Sequence, residues 1–313
     1  LYFHVQPLRF SFVAREAVYF PDGKSSNILR GAFGTIFRKI TCVPQCSGAR
    51  GCQQRGTCPY AQLFEPRALN QEGPSGFADH PRPFVFRAMH LDGHAFEPGQ
   101  TFHFDLHLFE PHTNYIAYFV LAFSELAREG LGPQRSKVEL ATVSTLNAEA
   151  KASATIYQNG LLQKDAAAQT LRLDLRPDTQ PVSRVCVRFL TPTELKNGQQ
   201  IAVQPEFPIL ACRIRDRVSL LRELYGEGPL DIDFKAFGVR AAQVKTTSAE
   251  LRHVDLQRRS SKTGQVHSIG GFVGEAAYEG PLAEFVPFLK AARWTGVGRQ
   301  TVWGKGEIAM KIG

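Results

Sequence analysis

Apolar and polar positions along the chain fall into two passes of one pattern. Residues 8–14 alternate and predict a strand. Ser25, Ser26 and Asn27 offer helix caps. Ile28, Phe33, Ile36, Phe37 and Ile40 then mark the apolar side of a helix, with Gly31 and Gly34 as close-packing points. Residues 84–88 and 101–109 predict two further strands, residues 114–128 a second helix, and residues 137–143 a fourth strand. The order is β-α-β-β-α-β.

After a hairpin and linker with Asn159 and Gly160 at the turn, the pattern starts again. Residues 184–190 read as a strand. Residues 207–225 read as a long helix with Phe207, Leu210, Ile214, Val218 and Leu221 inside, Arg213, Arg217 and Arg222 outside, and Gly226 as its stop. Strands are expected around 239–256 and 267–279, then a helix from Leu282 and a closing strand over 302–312. The expected fold is α+β: two tandem ferredoxin-like (RRM-like) domains with a Cys-rich loop insertion. The expected boundaries are 1–145, a hairpin and linker over 146–180, and 181–313.

Two stretches stand outside this pattern. One runs from the end of the last helix toward the closing strand, where Trp294, Gly296, Gly298, Arg299, Trp303, Gly304, Lys305 and Gly306 crowd together. Glycines let backbone approach a ligand, and exposed amides beside Arg299 and Lys305 would suit a polyanion. The bland alternative is a pair of tight turns. The other stretch holds Cys42, Cys46, Cys52 and Cys58 in a polar, glycine-rich loop that cannot build a core of its own. Four thiolates in this span suit a structural Zn²⁺. An iron–sulfur cluster and four unligated thiols are the alternatives. Cys186 and Cys212 lie in apolar segments and read as core thiols. On the strand at 101–109, His103, Asp105 and His107 share a face, which reads as a polar sheet face in preference to a metal site.

Charge sharpens the first of these. The net charge is +8, and residues 235–313 carry 12 Lys+Arg against 6 Asp+Glu, or +6 of it. An anionic partner would be drawn to the last quarter. No apolar run approaches the roughly 20 residues that span a bilayer, so no membrane partner is expected. The start of the chain lacks the look of a signal peptide, which makes a cytoplasmic setting the expectation and argues against a disulfide framework as the purpose of the cysteines.

With these residues in view, the chain resembles the CRISPR repeat-RNA-processing endoribonucleases of the RAMP superfamily over nearly its whole length. The carriers are Leu29 to Gly34, the cysteine loop ending in Cys58, Pro59 and Tyr60, the strand Phe104 to Phe109, Gly130 to Gly132 with Arg135, Phe189 to Pro192, Gly270 to Gly274, and the terminal glycines 296, 298, 304 and 306. Glu110 departs from the family, which often has glycine after that strand. The resemblance implies cleavage of precursor RNA without a catalytic metal. The ribose 2′-OH attacks the adjacent phosphate and leaves a 2′,3′-cyclic phosphate and a 5′-OH. It also implies CRISPR repeat RNA as partner, and other CRISPR-associated proteins or fused domains as further ones.

Such chemistry needs a base, an acid and cations for the phosphorane charge. The family often has a histidine near the first helix; this helix has none. The candidates are therefore His267, then His253, with Arg30 for charge stabilisation. Arg258, Arg259, Lys262, Arg299 and Lys305 are expected at phosphates, with Gly296, Gly298, Gly304 and Gly306 shaping the loop for RNA. Two other readings compete: a non-catalytic RAMP subunit that holds guide RNA, and a zinc-stabilised interaction module.

Overall fold

The structure is a computed structural model that describes residues 1–42, 46, 48, 51–66, 80–110, 115–163, 170–259 and 264–313. Two compact units divide the chain, Gln6–Leu171 on one side and Leu1–Val5 with Arg172–Gly313 on the other.

In the first unit the major elements are β1 (Tyr2–Ala14), α1 (Ser25–Thr41), α2 (Pro59–Leu63), β2 (Phe84–Arg87), β3 (Thr101–Phe109), α3 (Tyr115–Glu129), β4 (Val138–Leu146) and β5 (Ala152–Gln158). The strands order as β2-β3-β1-β4 and continue through β5 to the short strand Leu161–Leu162. A βαββαβ chain threaded in this order is the ferredoxin-like topology. The hairpin after β4 turns at Asn159 and Gly160, both at positive φ, and extends this sheet.

Strand alternation puts Phe10, Phe12, Phe86 and Phe104 on the covered face, all nearly or fully buried. Phe33 of α1 stacks on Phe119 of α3 with ring centroids 4.6 Å apart, and Phe123 packs on Phe10 at 5.1 Å. Aromatic pairs of this kind add to the area they bury. The opposite face is polar. Asp105 of β3 takes two hydrogen bonds from Arg9 of β1, at 2.7 and 2.9 Å. His103 stacks near His90 at 4.6 Å, and burial holds its imidazole below the usual histidine range. Glu110 sits at φ +46, in a backbone region that favours glycine.

Gly31 and Gly34 differ within one helix. A Cβ on Gly31 meets nothing within 4 Å, whereas one on Gly34 would lie 2.2 Å from the Phe64 ring. Gly31→Ala is therefore expected to stabilise the protein by up to ~1 kcal/mol through helix propensity. Gly34→Ala is expected to destabilise it by about 1–3 kcal/mol through overpacking. Urea denaturation of the pair checks both signs.

The second unit holds β6 (Leu171–Asp174), β7 (Arg184–Thr193), α4 (Phe207–Tyr225), α5 (Phe234–Ala241), β8 (Lys245–Val254), β9 (Gln257–Arg259), β10 (Val266–Ser268), β11 (Gly271–Glu279), α6 (Val286–Thr295) and β12 (Ile308–Ile312). Its sheet orders as β8-β11-β7-β12, the same threading a second time. Phe207, Phe237, Phe285 and Tyr278 pack beneath it, and the Tyr278 hydroxyl donates to the Pro205 carbonyl at 2.7 Å.

Several expectations need correction here. Part of the segment read as a strand around 239–256 is α5, capped by Asp233, whose side chain accepts from the Ala236 amide. The strand expected over 267–279 is two, β10 and β11. The closing strand begins at Ile308, after a single helical turn at Thr301–Trp303. Arg222 is buried, not outside. Cys186 points away from the core and donates to Glu275 at 2.8 Å, and Cys212 is only half-buried.

Candidate nucleic-acid interface

β9 and β10 form a small hairpin inserted between β8 and β11. Register places Arg258 directly across from His267. Directly opposed residues of an antiparallel pair project to the same face with Cβ atoms about 5 Å apart, so a guanidinium and an exposed imidazole share one side of the hairpin. The Arg258 guanidinium lies over the Trp303 ring, 4.5 Å from its centroid. Partial burial there lowers its pKa from the usual arginine value, which still leaves it a cation.

A second tie joins the hairpin to the glycine-rich segment. Gln300 holds φ +65 and its side-chain amide donates to the Ser268 carbonyl at 2.7 Å. Arg258, His267, Gln300 and Trp303 thus gather on one patch. Neither Gln300 nor Trp303 was among the residues expected at the site. Tryptophan beside cations in a glycine-rich run is a sequence signal for such a place; Gln300 carries no signal, because its role rests on a backbone contact to residue 268.

The glycine-rich segment itself corrects the expectation of an open anion cradle. Gly296, Gly304 and Gly306 are buried. Their amides donate to Ala292, Thr301 and Pro192 carbonyls at 2.8, 2.9 and 3.0 Å, and those of Val297 and Arg299 donate to Gly306 and Glu194. These donors are therefore not offered to a polyanion. The tight turns permit close approach of backbone to backbone: a Cβ on Gly306 would fall 1.9 Å from the Val297 carbonyl oxygen, and one on Gly298 2.3 Å from that of Glu194. Lys305 is buried as well, at 5% exposure, and is not the exposed cation its sequence context suggests. Arg299 is exposed but pairs with the Glu194 carboxylate.

The remaining expected residues are more scattered. His253 is exposed on β8 and lies 3.2 Å from Asp255. Arg30 belongs to α1 in the first unit, where its guanidinium stacks 4.4 Å from the Phe64 ring centroid. On the same helix Lys39 pairs with Glu129 and Arg38 donates to the Cys46 carbonyl, so neither is a bare surface cation. The Arg259 side chain and Lys262 lie outside the described residues.

The four cysteines of the first unit are brought near one another. Cys46 and Cys58 bear on the Cys42 thiol, and Cys42 and Cys52 on that of Cys46. Burial pushes the Cys42 thiol up to about 11, whereas the Gly48 amide donating to its sulfur lowers that of Cys46. Among the described residues, no group of three or more His, Cys, Asp or Glu side chains stands in a geometry ready for a metal ion, the face of His103, Asp105 and His107 included.

Comparison with known proteins finds two family matches along the chain. Residues 3–170, more than half of the chain, match a family described as an N-terminal domain. Residues 187–308 match the CRISPR-associated endoribonuclease Cas6 family. No curated protein matches significantly. Among solved structures, a Cas6 product complex is similar at 17% identity and TM-score 0.57, over 98% of this chain and 100% of the other. Thermus thermophilus Cas6 is similar at 15% identity and TM-score 0.53, over 99% of both chains. A partial Cas6-RT-Cas1–Cas2 complex is similar at 10% identity and TM-score 0.56, over 99% of this chain and 46% of the other. At such identities the likeness to solved structures is one of fold, and that fold is the paired ferredoxin-like architecture described above. Residues 187–308, most of the second unit, thus carry a CRISPR-associated endoribonuclease Cas6 domain, with a matched N-terminal family domain ahead of it and the fold of Cas6 proteins over nearly the whole chain.

Proposed function

We propose that this chain cuts CRISPR precursor RNA within its repeats, by attack of a ribose 2′-OH on the adjacent phosphate and without a catalytic metal. The observation that carries the reading is the Arg258–His267 cross-strand pair beside Trp303, inside the matched endoribonuclease domain. Arg258 holds the scissile or neighbouring phosphate as a fixed cation. His267 moves a proton, at the attacking 2′-oxygen or the departing 5′-oxygen. Histidine is the residue type suited to exchange a proton near neutral pH. Balance is simple: the 2′-oxygen gains the bond to phosphorus, the 5′-oxygen loses it, and one proton passes from the first to the second through the protein.

Arg259, Lys262 and Arg299 serve as further phosphate contacts, with Arg299 exchanging its Glu194 partner for RNA. Arg30 and His253 remain secondary candidates, for charge stabilisation and proton transfer respectively. Gly296, Gly298, Gly304 and Gly306 support the interface by shape. Repeat RNA is the partner, and the solved complex with RT, Cas1 and Cas2 domains supports other CRISPR-associated proteins as additional ones. Arg258→Ala is expected to weaken RNA binding uniformly across sequences and to flatten the slope of log K against log salt by ~0.7, the value for one lost phosphate on a single strand. Binding isotherms at several salt concentrations check this.

One observation favours a second reading: α1 carries no histidine, and a chain that has lost a catalytic group would bind guide RNA without cutting it. The deciding experiment is brief incubation of purified protein with its cognate repeat RNA in EDTA, with product ends mapped. One discrete cut leaving a cyclic phosphate supports the endonuclease. Tight binding without a cut supports the non-catalytic subunit. Neither binding nor cutting overturns both and favours the interaction-module reading.

A further inference from the structure

The β9–β10 hairpin carries Arg258 and His267 on an exposed ribbon. Gln257, Val266, His267 and Ser268 all face solvent, and a two-stranded hairpin of this kind is marginally stable at best by itself. Its root is fixed by backbone. The Ile269 amide donates to the Leu256 carbonyl at 2.8 Å. A Cβ on Gly270 would lie 2.4 Å from the Val254 carbonyl oxygen, and one on Gly271 2.4 Å from that of Thr193, so glycine lets the root close on β8 and β7. Beyond the root, one turn meets the hairpin twice. The Gln300 side-chain amide donates to the Ser268 carbonyl at 2.7 Å, and the Trp303 ring lies against the Arg258 guanidinium. Gln300 holds φ +65 and ψ +20, a left-handed conformation uncommon for a residue with a side chain. Backbone bonds hold it there: the Arg299 amide on the Glu194 carbonyl at 3.0 Å, and the Trp303 amide on the Gln300 carbonyl at 2.9 Å. Glycine would meet the backbone requirement more cheaply, so the side chain is what the position uses.

We propose that Gln300 is a positioning residue for RNA cleavage: its hydrogen bond to Ser268, together with the Trp303 ring at Arg258, fixes the hairpin so that His267 and Arg258 address one phosphate. The proposal rests on the roles given to His267 and Arg258 above. Gln300 acts through the backbone of Ser268, which adjoins His267 in sequence and pairs in register with Gln257, the neighbour of Arg258. One hydrogen bond therefore pins the rung beside the Arg258–His267 pair. Small displacements of a reacting group cost large factors in rate, and an exposed ribbon has no core packing to prevent them. The glycine-rich segment thereby has a use that does not need its amides free for an anion. It is the brace that holds Gln300 and Trp303 against the hairpin.

The test uses the full chain and two readouts. One is the NMR resonance of the Arg258 side chain, displaced by the ring current of Trp303 while the hairpin is held. The other is single-turnover cleavage of the cognate repeat at saturating enzyme. Gln300→Met keeps the length of the side chain and removes the donor. It is expected to move the Arg258 resonance toward its free position and to slow cleavage by about 10–10²-fold, with RNA affinity within a few-fold of wild type. Gln300→Gly, which suits the left-handed backbone, should show the same loss and serves if Gln300→Met does not fold. Gln300→Lys regains a donor and should restore both readouts. An unmoved Arg258 resonance in Gln300→Met and Gln300→Gly overturns the proposal. So does a moved resonance with a wild-type cleavage rate while His267→Ala is slow. A wild-type rate in His267→Ala is a different failure: it removes the reading of the site and the positioning role with it, and a moved resonance would then report a structural clamp alone.

Discussion

His267→Ala is expected to slow single-turnover cleavage of the cognate repeat by about 10²–10⁴-fold, the usual contribution of a positioned acid or base, while leaving the affinity for uncleaved RNA within a few-fold. The reason is local. His267 is exposed on β10 and sits across from Arg258, so removal of its imidazole costs no core packing. A phosphate held at Arg258 is within about one side-chain length of it. His253→Ala should have a smaller effect, since its imidazole is on β8 beside Asp255 and not on the hairpin patch. Single-turnover rates with saturating enzyme separate chemistry from binding. A wild-type rate in His267→Ala removes it from the mechanism, and a large loss in His253→Ala alone would move the proton-transfer role there.

Gly306→Ala carries the largest expected loss of stability, about 2–5 kcal/mol. Its φ is +66, a conformation that costs an L-residue about 1–2 kcal/mol. The new Cβ would overlap the Val297 carbonyl at 1.9 Å, and relief of that overlap must move backbone, adding about 1–3 kcal/mol. Movement there also strains two hydrogen bonds, Val297 amide to Gly306 carbonyl at 2.9 Å and Gly306 amide to Pro192 carbonyl at 3.0 Å. Gly198→Ala is the control. It has φ +58 but open space around its Cβ position, so it should cost only the conformational part. Urea midpoints of the two variants at equal m-value measure the difference. Equal losses would show that the terminal glycines serve conformation alone, without the close backbone contact.

The repeated βαββαβ pattern is legible along the chain because half-buried strands and helices impose periods of two and 3.6 on apolar side chains. α4 spans the predicted residues, with Gly226 as its stop. The same logic fails where apolar periodicity is weak or misleading. α5 lies partly within a segment that reads as a strand, since eight residues leave too little pattern to separate the two periods. β9 and β10 are short and mostly exposed, so neither has an apolar face to announce it. Arg222 reads as outward because it is charged, yet it is buried near Glu227 at 3.8 Å.

The candidate site divides the same way. Sequence alone placed excess positive charge in the last quarter, grouped the four cysteines, and marked Arg258, His267 and the terminal glycines as chemistry-bearing. Those are properties of composition and spacing, which need no partner from elsewhere in the chain. Only the tertiary structure decided which of these groups are already occupied. Arg299 meets Glu194 across 105 residues, Gly306 gives its amide to Pro192, Lys305 is enclosed, and Gln300 reaches Ser268. A cation or an amide is available to a ligand only when folding leaves its charge or proton unspent, and that is settled by partners far apart in the chain.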